Sequence, residues 1–549
     1  MMMSTDPLQL LPPEVTLKIL EFSPISAIGA LKSVSKRWHD FIDVTHQDAI
    51  YSSQTAKPTG HRDITDLSFL KDGKSFSQYF GGFNHFEEIE SWKEACKRQT
   101  VLACNWDKSH PISQESLIHA GKDVWRFHSD FTRRYFVLTH HVGGLTVIDM
   151  DSYEILWELP ERVTRRYAHL EYQDGMMVFD GEGDSLQVWQ TDLENTKRGQ
   201  FKRIAILEHD RQVRGFQLSY WTLCVVSCEE TGFVWDMTKN PPKLTNRLKI
   251  EKDAGGHLDQ SEDVVIYAMG ERGYYAYDKT SGELLGVLDP SPCTDRYHIR
   301  APPIPKYDFC GPDGDPLTPI RLRRGPLPRP KLLASRLEFE DWGSGKVDGD
   351  LFVGISRNGN VFVCSDWRKS LRDPTSLAAN SSILECYNDG VTFDIGGWLA
   401  VRNHRFMFEA QGRIYVVALD DDNKFQKVEC PARASYSLLP SSASQLNVPI
   451  SYMELCDDAI FTTYTFNEEG RHREVSPLKC IRVVKLAHNL PGIPASFLPT
   501  EWRNNLSDMA AYLRLLVADD PDGPDSLENT FEVDFFDENS TWEDSEDDD

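Results

Sequence analysis

Between Leu10 and Ile42 apolar side chains recur at helical spacing, and they do so on more than one side of the first helix. At 100° per residue Val15, Ile19 and Phe22 fall on one face, with Leu17 and Leu20 on the opposite face. Pro12 and Pro13 suit the first turn of that helix, and Pro24 stops it. A second helix, capped by Ser26, is expected to carry Ile28, Leu31, Val34, Trp38, Phe41 and Ile42 as one stripe. Units shorter than ~40 residues rarely hold together without metals, disulfides or association, and no cysteine lies in this stretch. One face can fold; the other needs a partner.

Farther along, the pattern changes from helical to alternating and apolar runs. Seven times a short apolar strand is followed by a polar turn and a second strand. The pairs begin at Tyr135 and Gly144, Met176 and Ser185, Leu223 and Gly232, Val264 and Gly273, Leu351 and Gly359, Phe406 and Gly412, and, less regularly, Ile460 and Cys480. The second strands of the first six pairs are spaced by 41, 47, 41, 86 and 53 residues, against ~40 to 45 for a four-stranded blade. Seven pairs therefore predict a seven-bladed all-β ring over 121–490, closed so that few strand edges stay open. The long step holds a Pro- and Gly-rich insertion, 290–345, expected as a loop.

The remaining segments complete a multidomain α+β chain: helices over 5–48, a connector over 49–120, the ring, a helix within 491–518 and a tail over 519–549. The connector is aromatic-rich (Phe76, Tyr79, Phe80, Phe83, Phe86) with a helical pattern from Glu87 to Thr100. Trp502, Leu506, Met509, Leu513 and Leu516 recur at helical spacing.

Composition alters this picture only at the end of the chain. With 549 residues, 40% hydrophobic and 11% aromatic, a large core is affordable. Of the net charge of −26, the tail supplies 15 acids and no Lys or Arg, leaving −11 for the rest. Such a tail repels itself and is expected to be disordered, although Phe531, Phe535, Phe536 and Trp542 alternate with its acids. One short basic cluster, Arg321, Arg323, Arg324, Arg329 and Lys331 among prolines, is too little for a phosphate backbone, so no nucleic acid is expected. No leader pattern and no run of ~18 apolar residues occurs, so a cytoplasmic or nuclear chain without a membrane partner is expected. The eleven cysteines read as reduced residues.

The N-terminal residues resemble an F-box, whose pattern is Leu-Pro-x-Glu-aliphatic, then Ile/Leu-Leu, then Val-Cys-Lys-Arg-Trp. Here it reads Leu11-Pro12-Pro13-Glu14-Val15, Ile19-Leu20 and Val34-Ser35-Lys36-Arg37-Trp38. Ser23, Ala27, Gly29 and Ser35 depart from it. The resemblance, over about the first 45 residues, implies binding to the Skp-type adaptor of a cullin-RING ubiquitin ligase, with Leu11, Pro12, Ile19, Leu20, Leu31, Val34 and Trp38 as the contact residues. The ring resembles a WD-repeat-like β-propeller with an eroded signature, since only Trp235-Asp236 keeps the dipeptide.

No catalytic, metal or cofactor constellation is expected. His140 and His141 are strand neighbours and point to opposite faces. Gly343-Ser-Gly-Lys346 lacks the earlier Gly and the following Ser or Thr of a phosphate loop. The function expected is that of a substrate-recognition subunit of an SCF-type ligase, with cullin and RING subunits reached through the adaptor and an unidentified substrate protein on the propeller. The alternative is a propeller scaffold without ubiquitin transfer. Loops are not ordered by periodicity, so Arg133, Arg134, Arg165, Arg166 and Arg214 cannot be assigned a common face from sequence.

Overall fold

Prolines set the first helices. In the computed structural model, which describes residues 6–55, 67, 76, 83, 85–86, 88–181, 185–251, 254–299, 316–328, 340–386, 398–410, 412–428, 431–441, 449–469 and 475–486, Asp6 caps α1 (Pro7–Leu10) and Pro13 opens α2 (Pro13–Glu21). A proline at that place gives up an N–H that no helix would use. α2 stops ahead of Pro24, and α3 (Ile25–Lys32) starts directly after it. Ser26 therefore lies inside the first turn of α3 and does not cap it; Pro24 holds the cap position.

The second apolar stripe is broken as well. α3 ends at Lys32, and α4 (Lys36–His39) restarts after Ser35, whose hydroxyl accepts the Trp38 N–H at 3.3 Å. Serines compete with helical hydrogen bonding, so Ser33 and Ser35 turn one expected helix into two. A π-helical turn, Asp40–Thr45, and α5 (Gln47–Gln54) follow. The buried Asp43 carboxylate ties these pieces together through Lys32 (3.1 Å), Lys93 (2.9 Å) and Tyr51 Oη (2.9 Å). Burial pushes its pKa up, but these three partners outweigh that and hold it below the usual carboxylate range.

Gly29 is exposed in the body of α3, and a Cβ built there meets nothing within 4 Å. Gly29→Ala is therefore expected to stabilise the helical module by about 0.5–1 kcal/mol, through the lower entropy of the unfolded chain. Denaturant titration of the two proteins reads the difference, and an unchanged or lowered midpoint counts against it.

α6 (Trp92–Trp106) carries the helices onto the ring. Ser91 caps it by accepting from Glu94 N, which is why it starts later than the pattern from Glu87 suggests. Trp92, fully buried, packs edge-on against Phe76 at 5.1 Å. At the other end of α6, Asn105 donates to the carbonyls of Ile112 and Leu486, and Trp106 Nε1 donates to the carbonyl of Asp457 at 2.7 Å. Tyr436 Oη returns a bond to the Trp106 carbonyl at 2.6 Å. Leu20, Ile28, Trp38, Ile42, Trp92 and Trp106 thus share one continuous core with Tyr436, Leu455 and Leu486 of the ring.

Seven sheets, each built on four antiparallel strands, make the ring. The first blade runs through Val124–Asp130, Tyr135–His140, Leu145–Asp149 and Ile155–Leu159. The inner strands of the next six are Leu170–Gln173, Val213–Ser219, Leu258–Gln260, Trp342–Asp348, Leu399–Arg402 and Met453–Leu455. The seven strand pairs expected from sequence are the second and third strands of the seven blades, and in the first six they are nearly all buried. Blade 7 takes its outer strand, Gln114–Ile118, from the N-terminal side of the ring, paired from Gln114↔Lys485 to Ile118↔Ile481. Joining the first and last strands of the ring in one sheet closes the circle.

The insertion is not the loop expected. Arg296–Ile299 pairs in parallel with the outer strand of blade 5, Ser381–Cys386, and Leu322–Arg324 pairs with Arg296–Ile299. Between them Thr318–Ile320 pairs with the outer strand of blade 6, Ser435–Leu438. The segment stitches two blades along their rims, burying Tyr297, Ile299 and Ile320 with Phe425. Three- and four-residue strands among prolines are too short for a period to show, and open edges of neighbouring blades supply the pairing. Arg329 and Lys331, the expected helix within 491–518 and the acidic tail lie outside the described residues.

Candidate functional site

The helical module leaves several apolar side chains uncovered, among them a row on α2. Ile19 is 51% exposed, Phe22 77% and Val34 68%, with Leu10, Leu11 and Val15 exposed beside them in sequence. The opposite face of α2 is buried: Leu20 is 1% exposed, and Leu17 packs on the core. α2 thus has the two faces that its sequence implies. Lys18 lies 5.0 Å from the centre of the Phe22 ring and pairs with Glu21 at 2.9 Å, so the charges of α2 flank the apolar row without covering it.

The seven residues that the F-box resemblance points to divide into two groups. Leu11, Pro12, Ile19 and Val34 are exposed. Leu20 and Trp38 are turned into the core, Trp38 at 8% exposure, while Leu31 is half-buried against the same core. Sequence reasoning did not single out Leu10, Val15 and Phe22 as contacts, although the 100° spacing already placed Val15 and Phe22 with Ile19.

The helices hold one face of the ring. Asp458, in the turn between the first and second strands of blade 7, accepts from Phe83 N (2.9 Å) and His85 N (3.1 Å). Arg134, in the equivalent turn of blade 1, donates to the Phe83 carbonyl, and Arg405 of blade 6 pairs with Asp107 at 2.9 Å. Arg133 and Arg134 are therefore on the helix-bearing face. Arg165 and Arg166 precede the inner strand of blade 2, and Arg214 lies at the start of the inner strand of blade 3, which places all three on the opposite face.

Between the faces, inner strands surround a polar channel. Lys346 pairs with Asp259 at 3.4 Å, His169 with Glu171 at 2.8 Å, and His128 Nε2 lies 3.1 Å from the Leu170 carbonyl oxygen. Burial first, then Arg126, lowers His169, and burial holds His128 and His257 near about 4, so all three imidazoles are neutral at pH 7. Lys346 is the lysine of the GSGK segment that does not match a phosphate loop; it lies on a strand and faces Asp259. These inner strands escaped sequence reading because their polar residues break the apolar run. His140 Nε2 bonds to Thr146 Oγ1 at 2.8 Å, but its buried Nδ1, like the buried Nε2 of His141, has no hydrogen-bond partner among the described residues, so neither ring is the fully satisfied polar group expected.

Glu454 adds a pH-dependent element. Burial raises its carboxyl to about 7, against a hydrogen bond from Ser129 Oγ at 2.5 Å. A carboxyl raised above its unfolded value favours folding fully below pH ~4.5 and loses that contribution as the pH climbs through ~7. Relative to Glu454→Gln, the parent chain is therefore expected to lose roughly 2–3 kcal/mol between pH 4.5 and 8. Denaturant melts of both proteins across that range test it; parallel pH profiles contradict it. A separate cavity of about 500 Å³ lies off the axis, lined by Val264, Leu285, Arg368, Leu371 and Arg372.

Among the described residues no group of three or more His, Cys, Asp or Glu is arranged to hold a metal, and no helix is long and apolar enough to cross a membrane. Residues 8–47 match the family model of F-box-like domains. No curated protein matches the chain. Solved structures similar to it include the computationally designed Ika8 protein (12% identity, 68% of this chain and 99% of that one, TM-score 0.41). U3-55K (9% identity, 68% and 98%, TM-score 0.41) and Saccharomyces cerevisiae Sqt1 (9% identity, 70% and 90%, TM-score 0.40) are similar as well.

Proposed function

We propose that this chain, an F-box-like module fixed to a seven-bladed propeller, is the substrate-recognition subunit of an SCF-type cullin-RING ubiquitin ligase. The observation that carries the reading is the uncovered apolar row of Val15, Ile19 and Phe22 on α2, with Leu11 and Val34 also exposed, on the module that matches the F-box-like family. Such a row, rimmed by Lys18 and Glu21, is the kind of surface a Skp-type adaptor covers. The propeller face away from the helices is left to a substrate protein. Cullin and RING subunits reach the chain through the adaptor, and the ligase partners perform the chemistry. The chain's own contribution is effective concentration: a substrate lysine held near a loaded conjugating enzyme meets it as though in one molecule.

Co-purification of the full chain with a purified Skp-type adaptor, followed by reconstitution with cullin and RING subunits, tests this. Stoichiometric capture and lysine modification of a bound protein that depends on this chain are expected. Capture without modification in any reconstitution would leave a scaffold, and no capture ends the ligase reading.

A further inference from the structure

On the propeller face opposite the helices, aromatic rings gather at the mouth of the channel. Trp125 lies 5.1 Å from Tyr167 and 6.3 Å from Trp398, both edge-on, and His141 is 5.2 Å from Trp125 and from Tyr167. These rings come from the start of blade 1, its turn between second and third strands, the link to blade 2, and the entry to blade 6. Tyr167 is 51% exposed although it is a large aromatic residue, and it holds φ +54°, a left-handed conformation that bulky residues avoid. The fold keeps an exposed aromatic ring in a strained place beside other rings.

The link that carries Tyr167 is basic and rigid. Arg162, Arg165 and Arg166 are all exposed. Arg165 is tethered to Asp180 at 3.1 Å, while Arg162 and Arg166 make no ion pair among the described residues. Their backbone is fixed from beneath: Thr164 is fully buried, its carbonyl accepts from Gly144 N at 3.0 Å, and Gln187 Nε2 bonds to the Val163 carbonyl. Gly143 makes the close approach work, because a Cβ there would sit 2.7 Å from the Thr164 carbonyl oxygen. Arginines on a fixed loop next to a ring panel lose little freedom when they bind. The unpartnered Nε2 of His141 lies in the same panel.

We propose that this rim, formed by Trp125, Tyr167, Trp398 and the 162–166 arginines, binds an extended, carboxylate-rich peptide segment that carries an aromatic side chain. The inference rests on the substrate-receptor reading and narrows the substrate class. The rings supply area for an aromatic anchor, and the arginines supply single charge partners along the segment. A cationic segment is disfavoured by those arginines and by Arg126, whose guanidinium already lies 4.6 Å from the Trp398 ring.

The test is an array of short synthetic peptides probed with the full chain. Acidic content and the presence of one Phe, Tyr or Trp are varied independently, and a parallel set carries phosphoserine in place of Glu. Fluorescence anisotropy on the best binder then compares the parent with Arg162→Glu/Arg166→Glu, Tyr167→Ala and, as a control on the blade rim, Arg372→Glu. Binding is expected only where acids and an aromatic coincide. It should fall roughly tenfold or more in the double charge reversal and in Tyr167→Ala, be unchanged in Arg372→Glu, and weaken with added salt. Equal binding of neutral peptides, binding confined to the phosphorylated set, or an unaffected double reversal each overturns the proposal. Adaptor capture, measured on the same protein samples, separates the two readings: capture retained with no acidic preference sinks this inference alone.

Discussion

Ile19→Asp is expected to weaken adaptor capture at least ~30-fold while leaving stability within about 0.5 kcal/mol of the parent. Ile19 lies half-exposed on α2 in the same row as Val15 and Phe22. In the free chain its side chain contributes little to folding, so a carboxylate there meets water. In the complex the same carboxylate would be desolvated against apolar surface without a partner, a cost of several kcal/mol. Leu20, the next residue, behaves oppositely: at 1% exposure in the shared core, Leu20→Asp is expected to unfold the module. Isothermal titration of the adaptor, with circular dichroism of each variant, separates loss of surface from loss of fold. Full binding by a folded Ile19→Asp chain would place the adaptor elsewhere.

The largest expected effect on stability is at Arg482. It is 1% exposed on the third strand of blade 7, pairs with Glu115 of the closing strand at 2.7 Å, and donates to the Leu439 carbonyl at 2.7 Å. Its guanidinium also lies 4.9 Å from the Tyr464 ring. Arg482→Met removes the charge that holds the N-terminal strand to the C-terminal sheet and strands Glu115 opposite an apolar chain. A loss of about 3–5 kcal/mol is expected. Adding Glu115→Gln should restore part of it, since the unpaired carboxylate is then gone. Denaturant unfolding measures both, and hydrogen exchange over Gln114–Ile118 should rise in the single variant. A change below about 1 kcal/mol would show that backbone pairing alone closes the ring.

Sequence made the repeat legible because the second and third strands of each blade are apolar on both faces, as in Val264–Ala268. It did not reveal the inner strands, where Asp259 pairs with Lys346 of the next blade and Glu171 accepts from Leu218 N of blade 3, contacts that follow no period. The uncovered face of α2 was legible from angular spacing alone. The inward turn of Trp38 was not, because it depends on Ser33 ending one helix and Ser35 capping the next. The stitching strands at 296–299 and 318–320 were hidden for a related reason: their partners lie on outer strands roughly 90 to 120 residues away, and pairing at that range leaves no local mark.

The strand Gln114–Ile118 and the helix seat at Asp457, Asp458 and Leu486 have a consequence in time. During synthesis the F-box-like helices leave the ribosome first, but the surface that receives α6 is made from residues about 380 positions later. At ordinary elongation rates the module waits roughly 20–75 s for its seat. Until blade 7 is complete, neither ring closure nor helix docking can occur, and both then depend on the same sheet. A chain interrupted before that sheet would carry its helices without a fixed direction relative to the blades, which on the proposed function would let it occupy an adaptor without delivering cargo. The late sheet thus acts as a check that the ring and its helix seat are both complete.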